Sequence, residues 1–255
     1  MINLKVAIEM SEITREKPGV KFLWSHQGRL HRYFVKTANK VLRMLPFRAK
    51  YLAVAKAKGR NIPYSLVEGK TVVQVGAPYD TLEAGRSRGM LFSQLVGTDG
   101  KVLIVEPLGD SVRKMKERLE DCGLHNTQVI ESGAWSKQTT SVINVDLEHP
   151  ATNYTGSTVD YEHTRAEQFE KIEISLNTLD SIVENAGLEH IDLVSITTNW
   201  AEEEILKGMS RVLNKGVEYV CLAYGKDGED YRVMMAEYGY EVLSHDDRGV
   251  TYKKL

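Results

Sequence analysis

A chain of 255 residues, 42% apolar and 27% charged, is long enough to bury a substantial core without staples. Its two cysteines, Cys122 and Cys221, lie far apart with no CxxC or Cys/His grouping around them. That argues against a disulfide framework or a metal site and for a reducing compartment. The net charge of −2 hides an asymmetry: residues 1–60 hold 14 Lys/Arg and 3 Asp/Glu, residues 61–255 hold 19 and 32. The first segment is therefore expected to meet something anionic, either a partner or the acidic remainder of its own chain.

Met1 to Gly19 carry scattered charge and no long apolar run, so neither a secretion signal nor a membrane span is expected there, and the expected location is the cytoplasm. From Gly28 to Lys58 apolar residues recur at helical spacing (Leu30, Phe34, Ala38, Val41, Leu42), with Pro46 breaking the run into two helices. Residues 29–60 are basic with interleaved aromatics, a pattern that permits peripheral contact with an anionic membrane surface. Asn61-Ile62-Pro63 marks a boundary, which divides the chain into a basic helical extension, 1–64, and a main domain, 65–255.

Short β-branched apolar runs then alternate with helical patterns. Strands are expected at Thr71–Val75, Lys101–Val105, Gln128–Glu131, Ile191–Ile196 and Val217–Ala223. Helices are expected at Gly109–Cys122, Thr178–Ala186, Glu202–Leu213 and Glu229–Tyr238. Such alternation predicts an α/β fold with a mostly parallel, Rossmann-like sheet. Tyr240–Ser244 and Val250–Lys254, joined by Asp246-Asp247-Arg248-Gly249, read as an antiparallel hairpin at its end. The least regular stretch, Thr139–Ser175, reads as an inserted strand pair or a lid over the ligand face.

In an open α/β sheet, ligands bind beyond the carboxyl ends of the strands. Gly76-Ala77 follows the first strand directly, and Glu106 follows the second, 30 residues after Gly76. A glycine there allows close main-chain approach to a ligand, and a carboxylate there accepts hydrogen bonds from both hydroxyls of a ribose. A dinucleotide would need a glycine cradle for its pyrophosphate, G-x-G-x-x-G. Here the stretch is Gly76-Ala77-Pro78-Tyr79-Asp80-Thr81. It lacks the later glycines, loses a donor at Pro78 and carries a negative charge at Asp80. S-adenosylmethionine (SAM) has no phosphate and carries a sulfonium cation, so it suits this loop better. Asp80 can face its amino-acid end or stabilise the turn. Gly133, Ala134 and Trp135, after the third strand, are placed where an adenine would lie, with Trp135 either on the base or in the core. Arg86 and Arg88, framed by Gly85 and Gly89, form a candidate anion site or a solvated basic loop.

The residues from Thr71 to Tyr224 resemble the FkbM family of SAM-dependent methyltransferases. Four stretches carry the resemblance: Val73-Gln74-Val75-Gly76-Ala77; Gly97-Thr98-Asp99-Gly100-Lys101-Val102 running on to Val105-Glu106-Pro107; Leu176-Asn177-Thr178-Leu179-Asp180-Ser181-Ile182; and Ile191–Ile196 with Ala201–Gly208. The resemblance implies the class I methyltransferase fold with a C-terminal antiparallel hairpin, SAM as donor, and O-methylation of a glycan, sugar or related small molecule. The chain departs from the family pattern in two places. Gln74 stands where the family has an acid. Ser195-Ile196-Thr197-Thr198-Asn199-Trp200 stands where it typically has Lys-x-Asp-x-Glu-Gly.

A hydroxyl acceptor needs a general base. His149 and His163 in the insert are candidates, each also readable as a surface histidine; Asn199 and Trp200 are candidates for orienting or stacking an acceptor. Two further classes stay open. One is a SAM-binding recognition module without catalysis; the other is a nucleic-acid methyltransferase, which the acidic main domain and the lack of an Asn-Pro-Pro-aromatic motif disfavour. The sequence does not indicate an oligomeric state.

Overall fold

The computed structural model of the chain describes residues 44–146, 154–155, 169–223, 231–246 and 249–255. The expected helix over 28–43 and the candidates His149 and His163 lie outside them. Helix α1 (Phe47–Lys58) follows Pro46, the break expected from sequence. The main alternation follows as β1 (Thr71–Val75), α2 (Tyr79–Glu83), α3 (Arg88–Leu95), β2 (Lys101–Glu106), α4 (Gly109–Cys122) and β3 (Thr127–Glu131). Next come β4 (Gly133–Ala134), β5 (Thr139–Asp146), β6 (Tyr154–Thr155), β7 (Phe169–Asn177), α5 (Leu179–Asn185) and β8 (Leu193–Ile196). The chain ends with α6 (Glu202–Lys207), α7 (Ser210–Lys215), β9 (Tyr219–Leu222), α8 (Arg232–Glu237), β10 (Tyr240–Asp246) and β11 (Gly249–Lys254).

The main sheet has seven strands in the order β10-β11-β9-β8-β1-β2-β3. Strands β9, β8, β1, β2 and β3 are parallel, and the terminal hairpin adds antiparallel to β9. From β1 the chain winds outward to β2 and β3, then returns to the other side of β1 as β8. The boundary between β1 and β8 is thus the topological switch point, where such sheets leave a crevice.

Strand β1 shows why both faces must be covered: Val72, Val73, Gln74 and Val75 are all buried. Val73 and Val75 pack with α5, α6 and α7 through Leu179, Ile205 and Leu213. Val72 packs on the opposite face with Met90, Phe92 and Met115. Tyr51, Val54 and Ala55 of α1 join that second cluster, so the described end of the basic segment is part of the core. Its charge is partly used there as well, since buried Lys50 donates to the Glu83 carbonyl at 2.9 Å.

Three expectations are corrected. Residues 76–89, read as a loop, contain α2 and the start of α3. Helix α3 is missed because Met90, Leu91, Phe92 and Ser93 are buried in succession, so no polar face marks a helical period. Residues 202–213, read as one helix, form α6 and α7 with a break at Gly208-Met209. A side chain at Gly208 would collide with the Trp135 carbonyl, so the chain passes there without one. The expected helix over 229–238 is seen as α8, Arg232–Glu237.

The irregular insert proves to be a strand pair. Strands β5 and β7 run antiparallel in unbroken register from Thr139↔Leu176 to Asp146↔Phe169. Together with β4 and β6 they form a second sheet, β4-β7-β5-β6, which stands over the carboxyl end of the main one.

Candidate active site

The cleft lies at the switch point. It is a concave cleft, open to solvent. Its floor is made by strand tips: Val75 and Gly76 from β1, Val105 and Glu106 from β2, Ser132, Gly133 and Ala134 after β3, and Thr197, Thr198 and Asn199 after β8. Its far wall is apolar and comes from the second sheet, where Ile143, Ile174 and Leu176 face Trp135. Sequence reasoning placed an insert over the ligand face but named none of these residues as its wall. The one available signal was the period-two alternation of Lys171–Leu176, which marks a one-sided strand.

Gly76 and Glu106 are neighbours, as their spacing requires. The Gly76 N–H donates to Val105 O at 2.9 Å, one residue before Glu106. Gly76 has φ +83, and a Cβ placed there would collide with the Thr197 carbonyl. The close passage of the β8 tip therefore requires the glycine, a reason that the sequence did not show. The neighbouring residue, Ala77, is 2% exposed and contributes its N–H rather than its side chain.

That N–H donates to Glu106 Oε2 at 2.7 Å, and the Leu108 N–H donates to Oε1 at 3.1 Å. The two donors fix the carboxylate in one orientation at the cleft floor. Burial pushes the Glu106 carboxyl up to about 7 against the pull of the two N–H groups, and the Asp80 charge pushes the same way. Each carboxylate oxygen has two acceptor sites, so one on each serves the backbone and one can serve a hydroxyl.

Asp80 is not among the cleft-lining residues. Its carboxylate accepts from the Thr81 N–H at 2.8 Å, the turn-stabilising arrangement. Gly133, Ala134 and Trp135 all line the cleft, and Trp135 also packs against the apolar cluster of the second sheet, so it borders the cleft and a core cluster at once.

At the β8 tip Asn199 lines the cleft and Trp200 does not. Trp200 has φ +64, the left-handed backbone that favours glycine, at the position where the family has glycine. That backbone strains a bulky side chain. The Thr198 hydroxyl braces the turn by donating to the buried Glu202 carboxylate at 3.0 Å.

The other departures fall together in space. Gln74 pairs in register with Ser195, and its Nε2 donates to Thr197 Oγ1 at 2.6 Å and to Gly76 O at 2.9 Å. Three positions that carry charge in the family pattern are thus one contact group here, all neutral.

The Thr178-Leu179-Asp180-Ser181 segment is a structural joint. Thr178 caps α5 by accepting from the Ser181 N–H at 3.1 Å. The Asp180 carboxylate caps α7 by accepting from the Arg211 and Val212 N–H groups, both at 2.9 Å.

The residues present fit S-adenosylmethionine. A buried carboxylate, held by two N–H groups, keeps acceptor capacity toward a cleft that has no phosphate cradle. Parallel sheet, terminal hairpin and cleft at the switch point define the class: Rossmann-like methyltransferases, whose donor is SAM. Within it, residues 74–242 match the methyltransferase FkbM domain model. The chain belongs to the FkbM methyltransferase family.

Comparison with the curated proteins finds no match. Among solved structures the chain is similar, at low identity, to several methyltransferases. The FkbM methyltransferase of Methylobacillus flagellatus is 12% identical with a TM-score of 0.47, over 84% of this chain and 57% of that one. A methyltransferase of Geobacter sulfurreducens is 12% identical, TM-score 0.44, over 100% and 98%. Aeropyrum pernix fibrillarin, solved with natively bound SAM, is 14% identical, TM-score 0.43, over 80% and 74%. The chain thus spans little more than half the length of the Methylobacillus protein.

Proposed function

We propose that this protein transfers the methyl group of SAM to an oxygen of a glycan, sugar or related small molecule. The observation that carries the reading is the joining of Gly76, Glu106, Gly133, Ala134 and Asn199 around one cleft at the switch point. SAM supplies an electrophilic methyl group on a good leaving sulfonium. The chain's own work is then to hold, align and exclude water. Glu106 takes the ribose hydroxyls, the backbone and side chains of residues 132–135 take the adenine, and the β1 tip takes the amino-acid portion. Asn199 orients the acceptor by hydrogen bonding from the β8 tip, with Trp200 behind it. The insert sheet shields one side of the cleft from solvent.

One observation favours a second reading, binding without transfer. Among the described residues, Glu106 is the single titratable side chain lining the cleft, and in this reading the nucleoside engages it. The base for a hydroxyl acceptor would come from outside the described residues, where His149 and His163 lie. No helix of the described residues is long and apolar enough to cross a membrane.

The two readings separate by experiment. Release of S-adenosylhomocysteine is measured over a panel of sugars, glycans, glycolipids and RNA. Turnover on a sugar or glycan supports the first reading. Calorimetric SAM binding with no turnover on any acceptor supports the second. Absence of SAM binding overturns both.

A further inference from the structure

Helix α1 carries cations that the cleft does not use. Phe47–Lys58 contains Arg48, Lys50, Lys56 and Lys58 and no acid. Lys50 is buried on the Glu83 carbonyl, and Lys58 stands 5.6 Å over the Tyr64 ring. Arg48 and Lys56 are exposed, as is Arg60 just past the helix. Leu52 between them is 50% exposed, and Met44, ahead of Pro46, is 79% exposed. Arg48, Leu52 and Lys56 recur every four residues, so they share one face of the helix. The other side is fixed to the core by Tyr51, Val54 and Ala55, and the Tyr51 hydroxyl donates to the Leu82 carbonyl at 2.7 Å. None of these residues lines the cleft.

We infer that this outer face of α1 docks on a membrane surface bearing anionic lipids. The exposed cations attract anionic headgroups, while Met44 and Leu52 between and beside them enter the boundary with the acyl chains. A polynucleotide would answer the charge and leave the two apolar side chains in water, so lipid fits the mixed face better. The helix is already folded and held by its buried side, so docking spends no free energy on ordering it. With few residues in play, the contact is reversible and depends on the anionic lipid. The peripheral contact that residues 29–60 permit is thereby narrowed to one described face.

The test uses the full chain and needs neither cofactor nor acceptor. Cosedimentation is measured with phosphatidylcholine vesicles, with and without phosphatidylserine. Binding is expected only with phosphatidylserine and should weaken as salt is raised. Arg48→Gln with Lys56→Gln should weaken it about thirtyfold, from the worth of two cations near an anionic surface. Leu52→Ser should weaken it about fivefold, by removing half-exposed apolar surface. Thermal melting checks that each variant folds. Should the first pair fail to fold, Lys56→Gln with Arg60→Gln decides in its place.

Weaker vesicle binding in both variants, with melting unchanged, upholds the docking face. Binding by either variant equal to that of the native chain overturns it, as does native binding without preference for phosphatidylserine. Binding to RNA but to neither vesicle preparation marks a nucleic-acid surface and overturns it too.

Discussion

Two carboxylates close the two ends of the central sheet, and their environments are opposite. At the amino end Asp192 accepts from the Thr71 N–H at 2.7 Å, from Lys70 at 3.3 Å and from His190 at 3.0 Å. Partial burial there works to raise the carboxyl, but those hydrogen bonds prevail and hold it below the usual carboxylate range. At the carboxyl end Glu106 also accepts two backbone N–H groups, yet it is 4% exposed with no cation beside it among the described residues, and burial wins. Asp192 lowers the free energy of the fold, whereas Glu106 is held ionisable at a cost the fold bears. Two side-chain donors and lighter burial thus hold the Asp192 carboxyl down, while deep burial with backbone donors alone leaves the Glu106 carboxyl raised at the cleft floor.

The sharpest way to break that comparison is to remove each carboxylate in turn. Glu106→Ala should weaken S-adenosylhomocysteine about a hundredfold by calorimetry, since it removes hydrogen bonds from two hydroxyls to a charged group. Asp192→Ala should leave that affinity unchanged and lower stability in urea titration by about 1–3 kcal/mol. Unaltered affinity in Glu106→Ala would remove the ribose assignment. A loss of affinity in Asp192→Ala would show that the ends are not independent.

The pH dependences should run in opposite directions. Glu106 has a raised carboxyl, so the folded state holds its proton longer than the unfolded state does. Its contribution to ligand-free stability is present below about pH 4.5, falls as pH rises to about 7, and is level above that. Asp192 has a lowered carboxyl, so its contribution is present above the unfolded value of 3.8 and is lost as pH falls below it. The change from Glu106 should be on the order of 3 kcal/mol and should vanish in Glu106→Gln. Cofactor affinity should weaken by up to about tenfold per pH unit below 7 as the carboxylate gains its proton. A flat affinity from pH 5 to 8 would contradict the raised value.

The smallest effect concerns Trp200. Glycine is normally costly to order, but φ +64 reverses the preference. Trp200→Gly should be more stable than Trp200→Ala by about 1 kcal/mol in urea titration. Equal stabilities would mean that the loop relaxes when the indole is removed.

The basic first segment sharpens the comparison from another side. Tyr51, Val54 and Ala55 lie in the core, so deleting residues 1–60 would unfold the domain instead of testing an anionic partner. Charge reversal at exposed Arg48 and Lys56 tests for one without that damage.

Local pattern was enough for the strands and for two of the site's anchors. The run Thr71-Val-Val-Gln-Val75 ends at the residue where β1 ends, because a doubly covered strand is nearly continuously apolar and stops here at its glycine. Gly76 and Glu106 could be placed together because a βαβ unit fixes the spacing of neighbouring strand tips. Sequence alone also determined the fold class and the terminal hairpin. Only the tertiary structure decided that the β8 tip passes too close to Gly76 for a side chain, that Gln74, Ser195 and Thr197 meet in one contact group, and which residues of the insert wall the cleft. It also separated Arg88, which donates to Ser195, from exposed Arg86. These depend on which atoms from distant parts of the chain meet at the ends and faces of the sheet. Periodicity along a single element records which side is buried and does not record what buries it.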